Sequence, residues 1–442
     1  MPIYGHTMPM RAVARGLVER SFDITFVSGS HFREPIEAIG ARFHPLSGYS
    51  NFSEATINTR FPARTKLAGE ELGAYDNEHL FVRSMPSQYE SLQLALKDLK
   101  TREPDRKVVL MVENGFLGNL PSILNAPGLK PDAYITIGVL PLSLSSIDTA
   151  PFGTCVPPDS TPSGRARNAV LNQKHRESSQ DLHTIFLSLL SSTGAQTTEH
   201  LYHDAAVILP DRYIQMCIPS IEYPRSDLPS TVVFAGSLPR GSRDAAQSFP
   251  PFWHELISNQ KLKEEEGNEK EPKKIIAVSQ GTFSTFPTQL LLPTITALAN
   301  DPSIILIAVL GARNATLPPE IEIPPNVRIA DFVPFDDLLL YCDVFVTNGG
   351  YGAVQHAIAN GVPMVVAGST EEKPENAARV AWAGIGVDLK TGTPSVEMVR
   401  EGVKRVLGDR GFRERIEGMK RVMERGDPVG VIAESVVELG GR

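Results

Sequence analysis

Along most of the chain, short unbroken apolar runs alternate with segments whose apolar residues recur every three or four positions. The first pattern predicts strands buried on both faces. The second predicts helices packed by one face, and the alternation of the two predicts a parallel α/β fold. Met10, Val13, Ala14 and Leu17 share one helical face. Asp23 to Ser28 reads as a strand, and Arg33 to Ile39 as a helix capped by Gly40. Val108 to Val112, Ala133 to Leu140, Ala206 to Leu209 and Thr231 to Ala235 read as further strands, with one long helix over 165–192. Residues 50–105 are less regular and read as loops and helices on one rim.

Proline and glycine crowd together from Gly236 to Trp253, which places a domain boundary near residue 240. The charged run from Lys261 to Lys274 reads as a solvated loop or insertion. A second α/β series follows: strand IIAVSQ, helix TQLLLPTITALAN and strand IILIAVLG, continuing to about residue 408. Two helical segments end the chain, and no internal repeat is visible. The predicted division is 1–240, 241–425, and a last helix over 426–442 that returns to the first domain. Two such halves predict a ligand cleft between them.

Composition narrows the chemistry. With 442 residues, 41% of them apolar, the chain has enough material for two full cores. A net charge of −8 argues against a nucleic-acid surface. No run approaches the length of a membrane span, and MPIYGHTMPM lacks the make-up of a signal peptide. The three cysteines, Cys155, Cys217 and Cys342, are far apart, which fits a reducing compartment and gives no metal-cluster spacing. The expected setting is the cytoplasm.

The richest stretch is DVFVTNGGYGAVQHAIANGVPMVVAGSTEEK, from Asp343 to Lys373. An apolar strand runs into a loop holding Gly349, Gly350 and Gly352, and a helix over Ala353 to Asn360 follows. Glycines there let backbone N–H groups approach an anion, and the helix N-terminus adds partial positive charge. This suits a phosphate or diphosphate. The alternative is an ordinary tight β–α turn.

Two longer segments carry a family resemblance. GHTMPMRAVARGLVERSFDITFVSGSHFREPIEAIGARFHPL, from Gly5 to Leu46, resembles the GHxxP opening of the family 1 nucleotide-sugar-dependent glycosyltransferases. FVPFDDLLLYCDVFVTNGGYGAVQHAIANGVPMVVAGSTEEKPENAARVAWAGIGV, from Phe332 to Val387, resembles their donor-binding signature. The spelling TNGGYG and TEEKPENAARV is similar to bacterial and fungal macrolide- or flavonoid-type members. The resemblance implies the GT-B fold, two Rossmann-like parallel-sheet domains facing a cleft.

It also implies roles. His6 aligns with a general base that deprotonates an acceptor hydroxyl, work suited to imidazole. Glu113, in VVLMVENGFLGNLP, stands where the family has an aspartate that orients this histidine. The alternatives are a structural histidine and a strand-end carboxylate capping a turn. Ser279, Gly281 and Thr282 of SQGT would hold the diphosphate with Asn348, Gly349, Gly350 and Gly352. Asn348 replaces a family histidine, keeping a donor but no charge. Phe332 would stack on the nucleobase, or else is core, and Val333 would meet the base edge through its backbone. His356 replaces a glutamate that holds ribose hydroxyls. Glu372 and Lys373 occupy an Asp-Gln position that binds the sugar. The implied co-substrate is a UDP-sugar, with UDP-glucose the expected donor. No cofactor or metal is expected, and the acceptor is a small lipophilic or phenolic molecule.

The chain opens at MPIYGH, inside what the resemblance makes a loop. The first strand of the first sheet is therefore expected to be absent, which would open sheet edges and apolar helix faces. A start placed too far downstream, or a shortened isoform, is the simplest account. The expected activity is inverting hexosyl transfer. The alternatives are a catalytically impaired nucleotide-sugar-binding helper and, further off, a sugar-nucleotide epimerase.

Overall fold

Every strand pair among the described residues is parallel, as continuous apolar runs joined by helical crossovers require. The computed structural model describes residues 1–237, 249–265, 271–281 and 286–441. Contacts divide the chain into two units, Met1–Pro239 with Gly426–Arg442, and Arg240–Arg425. No helix among the described residues is long and apolar enough to cross a membrane.

In the first unit, β1 (Thr25–Ser28) pairs with β2 (Arg42–Pro45). A separate sheet has the order β3-β4-β5-β6, with β3 Val109–Glu113, β4 Ala133–Gly138, β5 Arg212–Gln215 and β6 Val232–Phe234. Helix α1 (Tyr4–Glu19) precedes β1. Its stripe of Val13 and Leu17 packs with Ile135, Ile137 and Ile214. The GHxxP segment, expected as a loop, forms the first turns of α1. Pro9, the sixth residue of this helix, has no N–H to donate to the Gly5 carbonyl, so one bond of the helix is lost there. The 50–105 rim contains one long helix, α2 (Met85–Arg102), whose face of Leu92, Ala95 and Leu96 is buried.

Two expectations in this unit need correction. The helix over 165–192 is broken: α3 (Pro162–Ser178) ends at Ser179, whose φ of −90° and ψ of 1° leave the helical range, and α4 (Gln180–Ser192) restarts with Asp181 in its first turn. The apolar run Ala206 to Leu209 is no strand. It closes helix α5 (Tyr202–Ile208), and the next strand is β5. A run that short fits a buried helix face as well as a strand.

The second unit carries one six-stranded sheet, order β12-β11-β10-β7-β8-β9. Its strands are β7 (Lys274–Ser279), β8 (Ile304–Val309), β9 (Val327–Ala330), β10 (Val344–Thr347), β11 (Met364–Val366) and β12 (Gly386–Asp388). β8 and β10 are buried throughout. Helices α6 (Leu291–Ala297), α7 (Tyr351–Asn360), α8 (Lys373–Trp382), α9 (Val396–Gly408) and α10 (Arg410–Glu424) cover the sheet. Part of the Gly236–Trp253 segment and of the charged run lies outside the described residues.

The last helix, α11 (Pro428–Gly440), belongs to the first unit. Asp427 caps it by accepting from the Gly430 N–H at 2.9 Å, and Pro428 occupies its first turn. Val429, Ile432 and Leu439 join Val13 and Leu17 in one core. Val429 lies so close to α1 that a Cβ at Gly16 would meet its methyls at 2.8 Å.

Candidate active site

In the second unit the sheet order reverses between β7 and β10, which lie side by side with Thr347 opposite Ser279. The carboxyl ends of strands at such a switch point form the usual ligand crevice of a doubly wound sheet. Two loops emerge there, Ser279–Gly281 after β7 and Asn348–Gly350 after β10. Gly281 and Gly349 adopt φ of 75° and 81°, a region that favours glycine. A Cβ on Gly349 would also stand 2.6 Å from Val366 Cγ1, whereas Gly350 and Gly352 have open space around them.

The loops are tied together. The buried Asn348 amide donates to the Gln280 carbonyl, and Asn376 Nδ2 donates to the Gly349 carbonyl at 2.7 Å. Helix α7 starts with Gly350 as its N-cap and no side-chain cap, and the Tyr351 N–H points at Glu372 Oε1, 3.4 Å away. Lys373 Nζ pairs with Glu371 and reaches Thr370 Oγ1 at 3.3 Å. Ser279, Gly281, Asn348, Gly349, Gly350, Gly352, Glu372 and Lys373 are thus gathered around one switch point. Thr282 lies outside the described residues.

Phe332 follows the edge strand β9, two strands away from β7. Its ring is half-buried and carries the Arg313 guanidinium 5.2 Å from its centroid. One side of it lines a recess of about 640 Å³ together with Phe249, Pro250 and Leu317. Val333 is buried. His356 sits on α7 with Nδ1 2.8 Å from Asp336 Oδ1, which leaves Nε2 for any other partner.

In the first unit, His6 is buried in the first turn of α1, and its Nδ1 lies 2.8 Å from Oε2 of Glu113 at the end of β3. Glu113 also accepts from the Gly115 N–H at 2.7 Å and from the Met1 ammonium at 2.8 Å. Burial alone would push its carboxyl up, but the ammonium and His6 beside it hold it well below the usual carboxylate range. Phe81 leans over the imidazole at 5.8 Å, and a Cβ on Gly115 would crowd both rings.

The chain is 38% identical to UDP-glycosyltransferase 2 of Phaeomoniella chlamydospora over 99% of this chain and 94% of that protein. It is 33% identical to UDP-glucosyltransferase A1 of Starmerella bombicola, over 99% and 91%. The chain belongs to the family 1 UDP-glycosyltransferases. The model of the erythromycin biosynthesis protein CIII-like C-terminal domain matches residues 294–439. The crystal structure of the calicheamicin glycosyltransferase CalG4 superposes with a TM-score of 0.69 at 19% identity, covering 100% of this chain and 97% of that one. The glycosyltransferase of kitacinnamycin gives 0.67 at 20% identity, over 99% and 97%. The fold is therefore GT-B, and the enzyme is a UDP-glycosyltransferase that uses a UDP-sugar donor.

Sequence reading did not single out Gln280, Asp336 and Asn376, which tie segments of the second unit together, or Phe81, which packs on His6 within the first. Asn376 lies inside the TEEKPENAARV segment and could have been found there. Asp336 had no local signal, because its partner His356 lies 20 positions along the chain.

Proposed function

We propose that this UDP-glycosyltransferase moves glucose from UDP-glucose to a hydroxyl of a small lipophilic or phenolic acceptor, with inversion. The observation that carries the reading is the buried 2.8 Å pairing of His6 Nδ1 with Glu113. With Nδ1 engaged by a carboxylate, Nε2 is the nitrogen left to take the acceptor proton. Glu113 fixes the ring and stabilises the imidazolium that forms. The acceptor oxygen attacks the anomeric carbon from the face opposite the nucleotide, and UDP leaves.

On the donor side, backbone N–H groups of the Ser279–Thr282 and Asn348–Gly352 segments, with the N-terminus of α7, take the diphosphate and its growing charge. Phe332 stacks on uracil and the Val333 backbone meets its edge. His356 donates or accepts through Nε2 at the ribose. Glu372 and Lys373 address the sugar hydroxyls. Glucose is preferred as the sugar because relatives from Starmerella bombicola and Beauveria bassiana are named UDP-glucosyltransferases.

The test is His6→Ala, assayed as acceptor-dependent UDP release from UDP-glucose over a panel of phenols and fatty alcohols. Transfer should fall by roughly 10²–10⁴-fold while UDP-glucose affinity is retained. An unchanged rate removes His6 from the chemistry. UDP binding without turnover in the unsubstituted protein favours the helper reading.

A further inference from the structure

Glu371 occupies a backbone position that suits glycine. Its φ is 52°, in the left-handed region that a glycine enters freely and a glutamate does not. A backbone of that kind persists only where its surroundings hold it. Here the side chain is part of what holds it. The carboxylate pairs with Lys373 Nζ and accepts from Thr370 Oγ1 at 2.7 Å. Nζ in turn donates to Thr370 Oγ1 at 3.3 Å, which closes a triangle of three side chains.

The triangle stands beside the glycine loop at the switch point of the second sheet. Lys373 opens α8, and a Cβ on Gly368 would meet the Lys373 Cβ at 2.7 Å and the Asn348 carbonyl oxygen at 2.1 Å. The Lys373 side chain is 11% exposed and that of Glu371 40%, so the cation is covered while its carboxylate partner borders solvent. Neighbouring carboxylates are engaged elsewhere: Glu375 holds Arg379 at 2.6 Å within α8, and Glu372 faces the Tyr351 N–H. An ammonium has three N–H donors. Glu371 and Thr370 take two of them, which leaves one for a ligand.

We infer that Glu371 is a specificity-determining residue of the donor site, which cancels the Lys373 charge and sets the site to take an uncharged hexose rather than a hexuronate. The inference rests on the placement of the sugar at Glu372 and Lys373. A covered, unpaired ammonium would attract an anionic sugar strongly, because little water screens it. Once paired, it still offers a neutral hydroxyl one hydrogen bond but offers a carboxylate little net attraction. The exposed charge of Glu371 also repels that carboxylate directly, so the rejection comes from a repulsive element and not from shape alone. A glycine at 371 would relieve the backbone and lose both effects.

The test is titration calorimetry with UDP, UDP-glucose, UDP-glucuronate and UDP-glucosamine, on the unsubstituted chain and on Glu371→Gln and Glu371→Gly. Glutamine keeps the shape without the charge, and glycine suits a φ of 52°, so the two variants guard against a folding defect in either. Each sugar nucleotide is compared with UDP in the same variant. In both variants, affinity for UDP-glucuronate relative to UDP-glucose should rise by roughly tenfold or more, and affinity for the cationic UDP-glucosamine should fall. Opposite movement of the anionic and cationic donors is a response to charge that a loosened loop would not give. Unchanged ratios overturn the inference, as does an equal shift of all four ligands. Lys373→Gln separates this inference from the placement beneath it. If that variant leaves the ratio of UDP-glucose to UDP affinity unaltered, the sugar lies elsewhere, and the placement fails together with the inference. If it alters the ratio while the Glu371 variants keep their selectivity, only the role of Glu371 fails.

Discussion

The Nδ1 of His6 stands 2.8 Å from Oε2 of Glu113, joining the first turn of α1 to the end of β3 across 107 positions of sequence. A glutamine at 113 could still accept from Nδ1–H but would offer the imidazolium no charge. Glu113→Gln should therefore lower kcat by roughly 10²–10⁴-fold with the KM for UDP-glucose little changed. The same carboxylate also links stability to pH. Its folded pKa is depressed, so its contribution is complete above its ordinary value of 4.5 and is lost as pH falls below that. Unfolding free energies from urea titrations between pH 5 and 3 should fall less steeply in Glu113→Gln, by up to about 1.4 kcal/mol per pH unit.

Two adjacent glycines should respond differently. Gly349 has φ of 81° and would press a Cβ into Val366, so Gly349→Ala should destabilise the second unit by about 1–3 kcal/mol. Gly350 has room for a side chain, its nearest neighbour being Asn348 Oδ1 at 3.9 Å. Gly350→Val should leave thermal stability nearly unchanged and weaken UDP binding by an order of magnitude or more, since the side chain would stand before the helix N-terminus. Calorimetry and UDP titration of the two variants measure both effects. Equal UDP affinity in Gly350→Val would reduce the loop to a turn.

His175 and His203 face each other at 5.7 Å in the first unit. Burial pushes both imidazoles down, against the pull of Asp204, and Arg176 pushes the same way as burial. Both bind a proton less readily when folded than at the ordinary 6.5 of the unfolded chain, so stability is greatest above that pH and falls as pH drops through it. The unfolding temperature should decline between pH 7.5 and 5.5, and the decline should flatten in His175→Gln/His203→Gln. Identical pH slopes in the two proteins would count against this.

Ile432, fully buried on α11, packs with the core of the first unit. Ile432→Ala should cost about 2–5 kcal/mol. Limited proteolysis should then cut first within residues 1–237, while the second unit keeps its protection by UDP.

What the sequence made legible follows burial. Ile304 to Val309 and Val344 to Val346 are apolar throughout and buried, so their runs announce strands directly. β2 escaped notice because RFHP lies half in solvent and holds an arginine, a histidine and a proline. β9 escaped because Arg328 interrupts its run while pairing with Glu255, 73 positions away. The glycine loop was visible because backbone needs are written locally. The Asp336–His356 contact was not, since only the fold brings those two segments together. The neighbour of His6 could be named only through resemblance to other chains, as no spacing rule connects positions 6 and 113.

The placement of α11 has a consequence for synthesis on the ribosome. The stretch that forms the second unit leaves the exit tunnel whole and can fold as soon as it emerges. The first unit, although translated earlier, lacks Val429, Ile432 and Leu439 until the final helix is released. Its α1 face and strand edges must wait in the open through the synthesis of nearly two hundred further residues, the interval in which a chaperone would find them.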